Sequence, residues 1–196
     1  MVEVLVVVAV FVTLSSIIVV DYRNNGRKQR LQGIADEMAS RIKQAQGLAY
    51  ASTRQNICST DKNVCGAGSA CDPSTTNCSL AYVFRYGIRF DTDGTQKKYM
   101  IGADYDSTRY GQFDVKEAIA NGIVTLPSGV KITSVTPAQV AGMYDLDYIY
   151  DSSNYWPFLS CAANCLTTIV LTDTGVTPNI TKTVTVQKQT GIVSVL

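Results

Sequence analysis

Histidine is missing from all 196 residues. Its absence removes Ser-His and Cys-His nucleophile pairs and the mixed Cys/His ligand sets that often hold zinc. Net charge is nearly missing too, since 17 Lys and Arg stand against 16 Asp and Glu for a formal +1. That balance argues against a whole-chain electrostatic role, because nucleic-acid binders of this size usually carry a strongly basic face. There is no Walker loop and no paired-glycine nucleotide fingerprint, and no spacing selects Ser-Lys or carboxylate-pair chemistry. The expectation is a chain without catalytic residues, cofactor or metal.

What the chain has instead is an apolar opening. Met1 to Val20 holds a single charge, Glu3, and from Val4 to Val20 only Thr13, Ser15 and Ser16 are polar. A run of that length lies at the lower edge of the roughly 17–25 residues that span a bilayer core. A buried globular helix is the alternative, but it would show polar residues every few positions. Glu3 needs compensation, because a carboxylate in hydrocarbon costs about 2.5–3.5 kcal/mol even on the lenient insertion scale. Either it snorkels to the headgroups or it meets a positive charge from another copy of the chain, most simply a terminal amine.

The run Met1-Val2-Glu3-Val4-Leu5-Val6-Val7-Val8 resembles the N-terminus of type IV pilins and of the related pseudopilins of type II secretion. Those mature chains typically open Phe-Thr-(Leu/Met)-(Val/Ile)-Glu before an apolar helix. Aligned on the Glu, this chain is two residues short. Either Met1 is internal to a longer precursor carrying a basic leader, a Gly and a Phe-Thr pair, which is the favoured expectation, or this subunit has a shorter mature start than is usual. The resemblance implies an α+β pilin fold, in which a long N-terminal helix, apolar in its first half and amphipathic in its second, packs on an antiparallel sheet. It also implies identical subunits joined in a helical filament. Glu3 would set the register there, and Val4, Leu5, Val8, Phe11 and Leu14 would pack helix on helix. The implied partners are a prepilin peptidase, an inner-membrane assembly platform and, before assembly, the bilayer. The location implied is the inner membrane first and a cell-surface filament afterwards. An alternative within the family is a minor pilin or pseudopilin of a secretion or DNA-uptake system, and outside it a monomeric membrane-anchored binding module.

Three regions are expected: 1–26 as the membrane or filament-core helix, 27–52 as its amphipathic half, and 53–196 as a disulfide-bonded β-rich head. At Asp21-Tyr22-Arg23-Asn24-Asn25-Gly26 the helix is expected to loosen, because Asn and Gly lower propensity and Gly approaches about 1 kcal/mol relative to Ala. Beyond it, Leu31, Ile34, Ala35, Met38, Ile42, Ala45 and Ala49 form one apolar stripe at helical spacing that needs a partner. Arg23, Arg27, Lys28 and Arg30 follow the apolar run, and the positive-inside rule alone would leave the head in the cytoplasm. A basic leader ahead of the helix would resolve that conflict.

Cys58, Cys65, Cys71, Cys78, Cys161 and Cys165 all follow the apolar segment, in a Ser/Thr/Asn- and Tyr-rich region, which fits disulfides in an oxidising compartment. Zinc is the rival, but its sites usually show Cys-x2-Cys pairs or Cys/His mixtures. Residues 53–79 read as a polar loop ordered by cross-links. The first four cysteines are expected to pair among themselves, leaving Cys161 and Cys165 to close a small loop, although six cysteines allow 15 pairings.

Strands follow. Tyr82, Phe84, Tyr86, Ile88 and Phe90 alternate with Val83, Arg85, Gly87 and Arg89, the period of a half-buried strand. A turn at Asp91–Gln96 leads into a second strand with Tyr99, Ile101, Ala103 and Tyr105. Its Asp-x-Asp-Gly piece is similar to the start of a calcium loop but lacks the closing Glu. More strands are expected at Ile123–Leu126, Val130–Val135, Ile169–Leu171, Lys182–Gln187 and Ile192–Leu196. Leu126–Val135 resembles a segment of H-type minor pseudopilins and related minor pilins, as does the ending Lys182–Val186 with Thr190–Val195. Tyr144–Phe158, which holds the only Trp, Trp156, reads either as a covered sheet edge or as a recognition patch, with Asp145, Asp147 and Asp151 as a conceivable cation set. Asn179-Ile180-Thr181 matches a glycosylation sequon.

Overall fold

The computed structural model describes residues 2–51, 53–60, 64–65, 71, 77–83, 85–91, 98–104, 118–136, 143–149, 157–158, 166–175, 179–187 and 191–196. Met1, Phe84, Tyr105, Asp151, Trp156, Cys161, Cys165 and the expected turn after Asp91 lie outside them, as do the side chains of Tyr144 to Phe158.

One helix, α1 (Val2–Tyr50), runs unbroken for 49 residues, about 70 Å at 1.5 Å per residue. The expected loosening at Asp21–Gly26 does not occur. A break there would leave up to four N–H and four C=O groups without helical partners, more than Gly26's propensity deficit of about 1 kcal/mol can offset. Antiparallel strands follow, so the α+β expectation holds. A two-stranded ladder joins β1 (Arg54–Cys58) to β2 (Cys78–Tyr82). Strands β3 (Arg85–Asp91), β4 (Lys98–Asp104), β5 (Ala118–Thr125), β7 (Met143–Ile149) and β8 (Pro157–Phe158) make a sheet in the order β5-β4-β3-β7-β8. Strands β6 (Val130–Thr136), β9 (Leu166–Asp173), β10 (Ile180–Gln187) and β11 (Val193–Val195) make another in the order β11-β10-β9-β6.

The alternation in the sequence becomes the core. Tyr86, Ile88 and Phe90 stand opposite Ala103, Ile101 and Tyr99 in the β3–β4 ladder, and all six are buried. In the second sheet Val184 lies between Ile169 and Val195, Ile132 faces Leu171, and all but the partly buried Val195 are fully buried. Val130, Ile132 and Val135 are all buried although their spacing changes from two to three. A register shift between Ile132 and Ser134 absorbs the extra residue, Thr133. Such a bulge returns the strand to phase, and the Thr133 hydroxyl bonds to Val170 O at 3.2 Å and to the Thr172 hydroxyl at 2.9 Å.

Two readings are corrected. Residues 53–79 are not only loop, since β1 and β2 pair from Arg54↔Tyr82 to Cys58↔Cys78. The strand read from Tyr82 through Phe90 is two, because β2 ends at Tyr82, β3 begins at Arg85, and burial changes phase between them, with Tyr82 exposed and Val83 buried. The disulfides Cys58–Cys71 and Cys65–Cys78 confirm that the first four cysteines pair among themselves. Each closes a loop of sequence separation 13, worth about 3 kcal/mol in the chain-entropy account.

Candidate functional site: a bare apolar helix and its seat on the head

The lower half of α1 is held by the head. Leu31, Ile34, Ala35, Met38, Ile42, Ala45 and Ala49, the stripe expected from spacing, are all buried, and Ala39 joins them. They share one apolar cluster with Ile88 and Phe90 of the first sheet and Ile169, Leu171, Val184 and Val186 of the second. One helix face therefore closes over both sheets. At about 25 cal/mol per Å² of apolar surface removed from water, each large side chain in that seat contributes roughly 1.5–3 kcal/mol.

Polar ties fix where the seat begins and ends. Arg27 Nη1 donates to Gly175 O at 3.0 Å and Arg30 Nη2 to Ser128 O at 3.4 Å, while Gln46 Nε2 donates to Gly191 O at 2.9 Å near the other end. The acceptors sit in turns. Gly129, with φ 88°, takes the positive φ demanded at the third position of the Pro127–Val130 turn, closed by Val130 N–H donating to Pro127 O at 3.1 Å. Gly175 N–H donates to the buried Asp173 carboxylate at 2.9 Å. Nothing in the spacing of the sequence pointed to these contacts, because each joins residues about a hundred or more apart.

Above the seat the helix is bare. Val2, Val4, Leu5, Val6, Val7, Val8, Val10, Phe11, Val12, Leu14, Ile18 and Val19 are between 51% and 75% exposed. Val4, Leu5, Val8, Phe11 and Leu14 are thus open, but they are not singled out from their neighbours, since exposure runs around the whole circumference. Two of the three polar side chains here, Thr13 and Ser16, turn inward on the helix itself. Thr13 Oγ1 bonds to Ala9 O at 3.1 Å and Val10 O at 2.9 Å, and Ser16 Oγ to Thr13 O at 2.7 Å. A hydroxyl satisfied by its own backbone adds little cost in hydrocarbon. By length and composition the segment is able to cross a membrane. A cleaved signal sequence passes the same test, but here the apolar run and the seated stripe belong to one helix.

Glu3 is exposed in the first helical turn, where a carboxylate complements the helix dipole by about 0.3–1 kcal/mol. Among the described residues no group of three or more His, Cys, Asp or Glu is arranged to hold a metal ion. Asn179 and Thr181 of the sequon are both exposed.

The Tyr99 hydroxyl, also missed by the pattern of residues, is buried with no hydrogen-bond partner among the described residues. Burial and then the Glu37 carboxylate push its phenol far above the usual value, with Arg41 pulling the other way. Tyr86, buried at the other end of the β3–β4 ladder, donates to Thr53 O at 2.7 Å. Its phenol is also raised by burial, with Gln55 opposing. On the outer face of the small ladder the Arg54 guanidinium lies 4.1 Å from the centre of the exposed Tyr82 ring.

No family model, no curated protein and no solved structure matches this chain.

Proposed function

We propose that this chain is a structural subunit of a type IV pilus-like filament, held in a membrane by its apolar half-helix before assembly and drawn into a helical polymer of identical subunits afterwards. The observation that carries the reading is the single helix, with one half seated in the head's core and the other open on every side. An apolar rod exposed around its full circumference must be covered by lipid or by protein, because soluble monomers rarely leave apolar patches beyond a few hundred Å². Copies of the same rod cover one another in a bundle. Glu3, near the end of the rod, then takes a partner charge from a neighbour and sets the stagger. A prepilin peptidase and an inner-membrane assembly platform are the partners this implies.

The test is negative-stain electron microscopy of material sheared from cells, with mass spectrometry of its main band. Thin filaments dominated by this chain support the reading. Filaments containing only traces of it move the chain to a minor pilin or pseudopilin. The second reading, a monomeric anchored binding module, draws on the same bare helix being long enough to cross a bilayer alone. It requires that the chain stay with the membranes after shearing.

A further inference from the structure

We propose that the collar of cations between the bare helix and the head is a binding site for anionic phospholipid headgroups. The inference rests on the membrane insertion proposed above and goes further by naming the lipid chemistry recognised.

Four cations, Arg23, Arg27, Lys28 and Arg30, stand within ten residues of Val20, against the single carboxylate Asp21. On the helix rise, Arg23 lies about 5 Å and Arg27 and Lys28 about 10–12 Å past Val20, within or beside the headgroup layer of roughly 5–8 Å per leaflet. Side chains on a helix tilt toward its N-terminus, and that direction here is the bilayer. Long cationic side chains just beyond the hydrocarbon therefore reach back to the phosphates.

The four divide into two roles. Arg27 and Arg30 donate to Gly175 O and Ser128 O, tying the head's two turns level with the collar. A guanidinium has five N–H donors, so one bond to a carbonyl leaves others for phosphate. Arg23 and Lys28 are exposed and take no partner among the described residues. Charge at this place has no use in the apolar seat, which begins at Leu31. On the translocated side of a membrane it also opposes the usual distribution of Lys and Arg. A headgroup phosphate gives it a complement. Each Lys or Arg near an anionic surface strengthens attachment roughly five-fold, an effect that added salt screens.

The experiment reconstitutes the full chain in phosphatidylcholine bilayers containing a minority of phosphatidylglycerol. Spin-labelled versions of each lipid then report which is held at the protein surface. We expect phosphatidylglycerol to be preferred several-fold, the preference to fall in Arg23→Gln/Lys28→Gln and to collapse in high salt, and Lys43→Gln to keep it. Lys43 is the matched control, an exposed cation on the same helix about 35 Å past Val20. Equal retention of both lipids, or an undiminished preference in the double variant, overturns the collar while leaving insertion intact. If neither lipid is restrained and the chain does not float with the vesicles, the membrane reading and this inference fall together.

Discussion

Tyr99 packs against Phe90 with ring centres 6.3 Å apart and the rings tilted by 33°, yet its hydroxyl is buried without a partner among the described residues. A buried donor left unsatisfied costs about 1–3 kcal/mol, so Tyr99→Phe is expected to raise the urea midpoint, by about 1 kcal/mol in stability. A loss would mean that the hydroxyl has an unrecognised bond. The same group dictates an alkaline response. Its ordinary pKa, about 10, is raised in the fold, so the unfolded chain releases the proton first. Stability from this source is complete below pH 10 and falls as pH rises beyond it. Tyr86 acts in the same sense. Urea titrations across that range should show a shallower decline in Tyr99→Phe than in the parent, with the remainder due to Tyr86. At the opposite end of the molecule, Glu3→Ala is expected to reduce filament yield while leaving the head's melting temperature unchanged. Normal filament numbers in that variant would remove Glu3 from assembly.

Among the elements, the seated half of α1 was the most legible. Leu31, Ala35, Met38 and Ile42 recur at helical spacing, and periodicity reports burial directly. Met38→Ala, which empties a fully buried position, should therefore cost about 2–5 kcal/mol in chemical denaturation. A cost below 1 kcal/mol would mean that the stripe is not the seat. The β3–β4 pair was legible for the same reason at period two. Three things were not. The helix continues through Asn24-Asn25-Gly26 because hydrogen bonds on both sides outweigh local propensity, and a window of a few residues cannot register that. Strands β1 and β2 look polar because one face of their ladder is open, with Arg54, Asn56, Leu80 and Tyr82 exposed. The third is β5, which begins at Ala118, five residues before the expected Ile123. Its pairing shifts opposite Ile101, Asn121 takes φ 57°, and a Cβ on Gly122 would lie 2.7 Å from Ile101 O. No periodic template contains such an irregularity. Of the candidate site, the apolar run was plain from composition, whereas the ties of Arg27, Arg30 and Gln46 depend on turns brought in from the far end of the chain.

For the whole molecule, the consequence lies in how the two cross-links overlap. Cys58 and Cys78 face each other across the ladder but bond elsewhere, to Cys71 and Cys65. Any peptide bond between Cys58 and Cys78 is therefore bridged by at least one disulfide, and those between Cys65 and Cys71 by both. Sequential pairing would have left the middle stretch unguarded. A protease that nicks this stretch once severs the backbone without parting the protein. The nicked chain should migrate intact on a non-reducing gel and fall into two pieces only after a thiol is added, so that wear at the surface leaves the helix and the head as one covalent body.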